Sequence, residues 1–206
     1  MSRDADDVGP ETEMDDAVAE TDANGVAPET NAEWPVVETE TFRETPWVDT
    51  GRDRVRRPDG ETADYYWASQ DPAVAVVAHD READRLVTVE QYRPRFRRRF
   101  ESCPGGGVED DEEPAAAARR ELREETGYEA GETTHLGAYH PAGVLRLTRH
   151  VVYATALTER DPDPDDGEWL TVHRRDPETF LAETLEGVRT GWTVTPLLWA
   201  READLL

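Results

Sequence analysis

The sequence predicts an α/β protein of the α+β type, in which a helix lies against a mixed β-sheet. Apolar runs of strand length fill the middle of the chain, and the three glycines 105–107 follow them in one loop. An amphipathic helix pattern begins a few residues after that loop. Paired strands that lead into such a helix are typical of a layered fold in which the helix covers the sheet.

The chain of 206 residues is long enough for one domain with a sizeable core and short for two. Residues 1–33 combine dense negative charge, low hydrophobicity and scattered Pro and Gly, which predicts a disordered acidic tail. We therefore expect a single folded domain over residues 34–206, with a strand region over 34–70 and the core over 71–206.

Strands are expected on both sides of the glycine loop. The turn signal Pro-Asp-Gly at 58–60 separates two predicted strands between residues 55 and 66. The run AVAVVA at 73–78 is typical of a buried strand, and LVTVEQ at 86–91 alternates as a half-buried strand does. Further strands are predicted over 136–139, 151–157 and 169–173.

Three helices are expected after the loop. In the first, Pro114 suits the opening helical position, and Gly127 provides the stop. Ala115, Ala118 and Leu122 form one apolar stripe at 100° per residue. The second helix begins after the cap signal Asp-Pro at 176–177, with an apolar side formed by Phe180, Leu181, Thr184 and Leu185, and ends at Gly187. The last is predicted over 195–203.

The first helix gathers three carboxylates, those of Glu121, Glu124 and Glu125, on a flank beside its apolar stripe. Like charges this close raise one another's pKa unless cations lie among them. Oxygen-only ligands favour Mg²⁺ or Mn²⁺, and the glycine loop allows backbone groups to approach such an ion or a phosphate. The residues alone leave open a solvated acidic helix, supported by the spacing between Arg120 and Glu124.

The charge balance restricts the partners of this chain. Its formal net charge of -24 argues against binding to a nucleic acid backbone. No apolar run indicates a membrane span or a signal peptide, and Cys103 is the only cysteine, which fits a reducing cytoplasm. Cys103 itself is expected to be a small buried side chain. All fixed cations are arginine, which suggests adaptation to a salt-rich cytoplasm.

A basic stretch precedes the glycine loop. Five arginines lie within residues 93–99 of this acidic chain, so the positive potential is concentrated there and would attract an anionic substrate. Arg93 ends a predicted strand, where its guanidinium could bind a phosphate through two hydrogen bonds.

The stretch from 106 to 128 resembles the Nudix box, a long pattern in which glycine, glutamate and Arg-Glu are followed by Glu-Glu and glycine. Eight positions match: Gly106, Glu112, Arg120, Glu121, Leu122, Glu124, Glu125 and Gly127. The resemblance implies the Nudix fold, a mixed β-sheet sandwiched between helices and preceded by an N-terminal antiparallel strand region. It also implies structural roles for Gly106, Glu112 and Gly127.

The same resemblance implies an activity and its residues. Nudix enzymes hydrolyse a nucleoside diphosphate linked to another group, X, with divalent metals. By position, Glu121, Glu124 and Glu125 would hold the metals, together with the carbonyl of Gly105. Arg120 would pair with Glu112, and Arg120 and Glu124 would serve the catalysis.

The segment around Arg93 and Glu101 is similar to the ADP-ribose pyrophosphatase branch, which implies that both residues lie at the substrate. Gly143 would belong to the substrate loop, where Arg146 replaces an expected acid and could meet an extra phosphate or a different X group. Glu168 is the implied loop base. Relatives of this kind are often homodimers. Two alternatives stay open: a nucleoside triphosphate or dinucleotide pyrophosphohydrolase, and a non-catalytic Nudix-like nucleotide sensor.

Overall fold

The computed structural model describes residues 33–160, 169–187 and 189–206. These residues form two compact units. The smaller unit contains, of the described residues, 33–39 and 53–65, and the larger contains 40–52 and the described residues from 66 onward. The elements are β1 (Val36–Arg43), β2 (Asp49–Arg56), β3 (Thr62–Ser69), β4 (Ala73–Asp80), β5 (Arg85–Arg93), β6 (Arg98–Ser102), α1 (Pro114–Thr126), β7 (Tyr128–Tyr139), β8 (Leu145–Arg146), β9 (Arg149–Glu159), β10 (Leu170–Arg175), α2 (Pro177–Glu186) and α3 (Gly191–Glu202).

The smaller unit contains parts of β1, β2 and β3 joined by charged side chains. Arg54 donates from Nε to Asp64 Oδ1 at 2.9 Å, and its Nη1 lies 3.5 Å from Glu38 Oε2. The predicted turn between β2 and β3 is confirmed: the amide of Gly60 donates to the Arg57 carbonyl at 2.9 Å, and Gly60 has a φ of 85°. Only glycine adopts that φ without strain.

The larger unit is built on a six-stranded sheet in the order β10-β5-β4-β9-β7, with β6 also paired to β5. β4 and β9 are parallel, whereas β10, β4 and β6 each pair antiparallel with β5, and β7 with β9. This confirms the prediction of a mixed sheet. β4 pairs with the first residues of β5, and β6 pairs with the last residues of β5. The chain that leaves β6 therefore continues beside β4.

The two faces of β4 carry different helices. Val74, Val76 and Ala78 belong to a buried cluster that includes Ala118 and Leu122 of α1. The intervening residue Val77 belongs to a second cluster, which contains Phe180 and Leu181 of α2 and Leu197 and Ala200 of α3. Because successive side chains of a strand point to opposite faces, helices cover both sides of the sheet. The predicted sandwich is confirmed.

The helix bounds test the sequence prediction directly. α1 begins at Pro114 and ends before Gly127, whose φ of 74° and bond to the Arg123 carbonyl form a left-handed cap, as predicted. Its buried face includes Ala117, while Ala115 is only half-buried, so the stripe is rotated from the prediction.

No helix among the described residues is long and apolar enough to cross a membrane.

The other two helices differ in detail. Asp176 caps α2 by accepting from the Thr179 amide at 2.9 Å, as expected, but Leu185 is 57% exposed instead of buried. α3 begins at Gly191, earlier than the predicted Thr195. Pro196 lies inside α3, and because proline usually marks a first turn, the sequence places the helix start too late.

Candidate active site

The glycine loop lies against the edge of β4. The Pro104 and Gly106 carbonyls accept from the amides of Val76 and Val74, both at 2.9 Å. Gly105 has a φ of 141°, and a Cβ there would lie 2.0 Å from the Val74 carbonyl oxygen. A side chain at Gly105 is therefore excluded both by strain and by contact.

Arg120 of α1 is the centre of the charged network above this loop. Its Nε and Nη2 donate to the two oxygens of Glu112 at 3.2 and 2.9 Å, and Nη2 also donates to the Gly107 carbonyl at 2.8 Å. Its Nη1 donates to Glu121 at 2.9 Å and to Glu124 at 3.1 Å. One guanidinium thus connects the loop, the segment before α1 and two box glutamates.

The network shifts the protonation equilibria in the expected directions. Hydrogen bonds to Glu112 raise the pKa of Arg120 above its usual value, although burial opposes this. The hydrogen bond from Arg120 lowers the pKa of Glu112. Both groups are therefore charged near neutral pH, and the positive charge of Arg120 offsets the crowding of the carboxylates.

Two carboxylates of the box, those of Glu121 and Glu125, lie next to the glycine loop. A Cβ on Gly106 would lie 2.5 Å from the carboxylate atoms of Glu121. Glu125 accepts a hydrogen bond from the Gly105 amide at 2.7 Å. Among the residues that the structure describes, no three acidic, histidine or cysteine side chains converge as a preformed metal-ligand group. Glu121 and Glu124 share an arginine nitrogen, and Glu125 is turned to the loop.

Glu101 lies in a separate network. Its carboxylate accepts from Thr88 Oγ1 at 2.6 Å and from Arg175 Nη1 at 2.5 Å, and Arg175 Nη2 donates to Glu183 at 2.5 Å. Glu101 thus joins β5, β6 and β10. Arg175 could not be predicted as its partner, because 74 residues separate the two.

Arg93 ends β5 and is half-buried, whereas the arginines that follow it at 95 and 97–99 are exposed. The basic stretch forms a hairpin in which Arg93 pairs with Arg98 of β6. β6 was not predicted, since its arginines do not resemble an apolar strand. Phe100 is its one fully apolar residue and is buried.

The other expected substrate residues lie on β8 and in the segment just before it. Gly143 is exposed, and a Cβ there would meet nothing within 4 Å. Arg146 is on β8, which pairs with the end of β3, and its guanidinium lies 4.3 Å above the Trp67 ring. The predicted base Glu168 lies outside the described residues.

Several contacts could not be found from the sequence. Cys103 is buried as expected, and burial raises the pKa of its thiol to about 12, but its carbonyl accepts from Trp192 Nε1 at 3.0 Å. The Nδ1 of His150 lies 3.1 Å from the Nε2 of His135. Burial, and secondarily His135, lower the pKa of His150.

Comparison with known proteins finds similarity to one family. The family model described as NUDIX domain matches residues 69–188. The chain is 32% identical over 126 residues to "Methanol dehydrogenase activator" of Bacillus methanolicus, covering 61% of this chain and 68% of that protein. It is also 32% identical over 128 residues to "ADP-ribose pyrophosphatase" of Bacillus subtilis (strain 168), covering 61% and 69%.

Two further similarities extend the comparison. The chain is 32% identical over 147 residues to "CMP-5'-(N-acetyl-N-hydroxy-3-aminopropyl)phosphonate hydrolase" of Streptomyces rubellomurinus (strain ATCC 31215), covering 68% of this chain and 66% of that protein. The solved structure "Crystal structure of ADP compounds hydrolase" superposes with a TM-score of 0.75 over 84% of this chain and 94% of that chain. At 21% identity this structure supports the fold alone. The chain belongs to the Nudix family and is a pyrophosphohydrolase that resembles the ADP-ribose pyrophosphatases.

Proposed function

We propose that this pyrophosphohydrolase cleaves the diphosphate bond of ADP-ribose or another nucleoside diphosphate sugar, using Mg²⁺ or Mn²⁺. The products are then AMP, or another nucleoside monophosphate, and a sugar phosphate. The observation that carries the proposal is the network in which Arg120 joins Glu112, Glu121 and Glu124 above the glycine loop. The similarity to the Bacillus subtilis ADP-ribose pyrophosphatase supports the substrate class.

The donor set fits a hard divalent ion. Glu121, Glu124 and Glu125, with the carbonyl of Gly105, offer only oxygen atoms, which suit Mg²⁺ and Mn²⁺ better than softer metals. Arg120 already places one cationic nitrogen between Glu121 and Glu124, at 2.9 and 3.1 Å. A bound divalent ion supplies neutralisation of the diphosphate charge and activation of a water for attack on phosphorus.

Residues of the chain position the reacting groups. Arg120 is anchored to Glu112 and to the Gly107 carbonyl, so it holds Glu121 and Glu124 in fixed places relative to the loop. Fixed charges of this kind stabilise a transition state without reorganising at the moment of reaction. We assign proton abstraction from the attacking water to Glu168, by analogy with the loop carboxylate of relatives.

Four residues are proposed to bind the substrate. Arg93 would bind a phosphate oxygen pair, and Glu101, held by Thr88 and Arg175, would contact the substrate beside it. Gly143 leaves open space for the X group. Arg146, whose guanidinium carbon lies 4.3 Å from the centre of the Trp67 ring, would contact an anionic part of X where an acid was expected.

The test is a substrate panel assayed at high potassium chloride with Mg²⁺ and with Mn²⁺, with products separated by chromatography. We expect AMP from ADP-ribose, and loss of this product in Glu124→Gln and Glu125→Gln. Glu113→Gln is the matched control, because Glu113 is an exposed glutamate at the start of α1 whose side chain makes no capping hydrogen bond.

The other outcomes separate the alternatives. Preferred cleavage of triphosphates or dinucleotides would replace the nucleoside diphosphate sugar assignment. Tight binding of ADP-ribose without product would instead favour a sensor. Retained activity in both glutamine variants would contradict the assigned roles of Glu124 and Glu125.

A further inference from the structure

The start of α3 contacts the strand that leads into the glycine loop. Trp192 donates from Nε1 to the Cys103 carbonyl at 3.0 Å, and Thr193 donates from Oγ1 to the Glu101 carbonyl at 3.3 Å. Carbonyls two residues apart on an extended chain point to the same side. One turn of α3 therefore binds one edge of the chain over 101–103.

Trp192 is itself held in place. The guanidinium carbon of Arg149 lies 4.2 Å from the centroid of its ring. Tyr139 donates its hydroxyl to the Gly191 carbonyl at 2.9 Å and so fixes the residue before it. The Nε of Arg149 is buried and has no hydrogen-bond partner in the described part of the chain. Arg149 therefore contacts Trp192 by lying over the indole ring, while the Nε1 of that ring donates to Cys103.

Arg149 also lies in line with the loop. It is opposite Ala73 in the pairing of β9 with β4, and Ala73 forms an isolated bridge with Gly107 on the other side of β4. Trp192 is therefore connected to both ends of the loop. It binds the start through the Cys103 carbonyl, and it is linked to the end at Gly107 through Arg149 and Ala73.

We propose that Trp192 is a positioning residue for the glycine loop, acting through the Cys103 carbonyl, an inference that rests on the proposed function of that loop. The loop then has three supports. β4 binds the Pro104 and Gly106 carbonyls, Glu125 of α1 binds the Gly105 amide, and α3 binds the chain just before them. Displacing the entry of the loop moves Gly105 relative to Glu125.

The test replaces Trp192 with phenylalanine, which keeps an aromatic ring for Arg149 and removes the N–H donor. The matched control is Trp199→Phe on the same helix, whose ring lies 5.6 Å from that of Tyr139. With ADP-ribose and Mg²⁺, we expect kcat to fall about tenfold in Trp192→Phe with KM nearly unchanged, because small misplacements of reacting groups act on kcat. Arg149→Gln, which removes the stack, should lower kcat in the same direction.

A second readout does not depend on activity. Hydrogen exchange of peptides covering residues 101–108 should be faster in Trp192→Phe than in the wild type and in Trp199→Phe. If the wild type hydrolyses no substrate of the panel, the proposed function fails, and the exchange result still decides the role of Trp192. Unchanged exchange in Trp192→Phe, or equal losses of kcat in the two phenylalanine variants at equal melting temperature, would overturn the inference.

Discussion

Gly106→Ala is the most specific perturbation of the proposed metal site. An added Cβ would lie 2.5 Å from the Glu121 carboxylate, whereas ordinary contact begins at 3.4 Å, so the carboxylate must move by about 0.9 Å (3.4 less 2.5). The backbone of Gly106 lies outside the left-handed region, so alanine can adopt its backbone conformation and the contact with Glu121 is the main disturbance. A displacement of this size in a catalytic group lowers kcat by about 100-fold.

The assay is steady-state hydrolysis of ADP-ribose with Mg²⁺, together with thermal melting of each variant. Gly107→Ala is the control, because a Cβ at that neighbouring position meets nothing within 4 Å. Gly106→Ala should lose kcat while its melting temperature falls only slightly, since the displaced atoms are the end of one side chain and Arg120 keeps its bonds to Glu112. Equal activity in the two alanine variants would refute the placement of Glu121 at the reacting groups.

Three further predictions concern stability. Glu112→Gln should lower the free energy of unfolding by about 1 kcal/mol in denaturant melts, because Arg120 loses one of its charged partners. Glu109→Gln should change it little, because Glu109 is 4.0 Å from Arg120 and 74% exposed. Burial lowers the pKa of His150 below its usual 6.5, so its contribution to stability is present above pH 6.5 and lost as pH falls through the lowered value. As the pH is lowered below 6.5, the melting temperature of His150→Gln should therefore fall less than the melting temperature of the wild type. Parallel curves of melting temperature against pH would contradict this. The net charge of -24 predicts a higher melting temperature in molar than in low potassium chloride, and equal values would argue against adaptation to salt.

The parts of the structure that local patterns specify were predictable. α1 has proline at its first position, glycine at its left-handed cap and a dense apolar face, and each signal depends only on nearby residues. β4 and β5 follow from short apolar runs in the same way. The pairing of Arg120 with Glu112 was expected from the Nudix resemblance and is present at 2.9 Å.

What the sequence could not indicate depends on contacts between distant residues. Trp192 and Cys103 are 89 residues apart, so no spacing links them. The partner of His150 is His135 on the neighbouring strand β7, and the two meet only because β7 pairs with β9. A search for apolar runs does not find β6 because most of its residues are polar or charged. Its position is determined by pairing with β5.

Binding of Mn²⁺ to the free protein, followed by electron paramagnetic resonance, tests most directly whether the helix carboxylates hold a divalent cation. We predict that the wild type and Glu113→Gln bind Mn²⁺ equally, and that Glu121→Gln, Glu124→Gln and Glu125→Gln each weaken the binding strongly. Equal Mn²⁺ affinity in all five proteins would contradict the assignment of the metal site to α1.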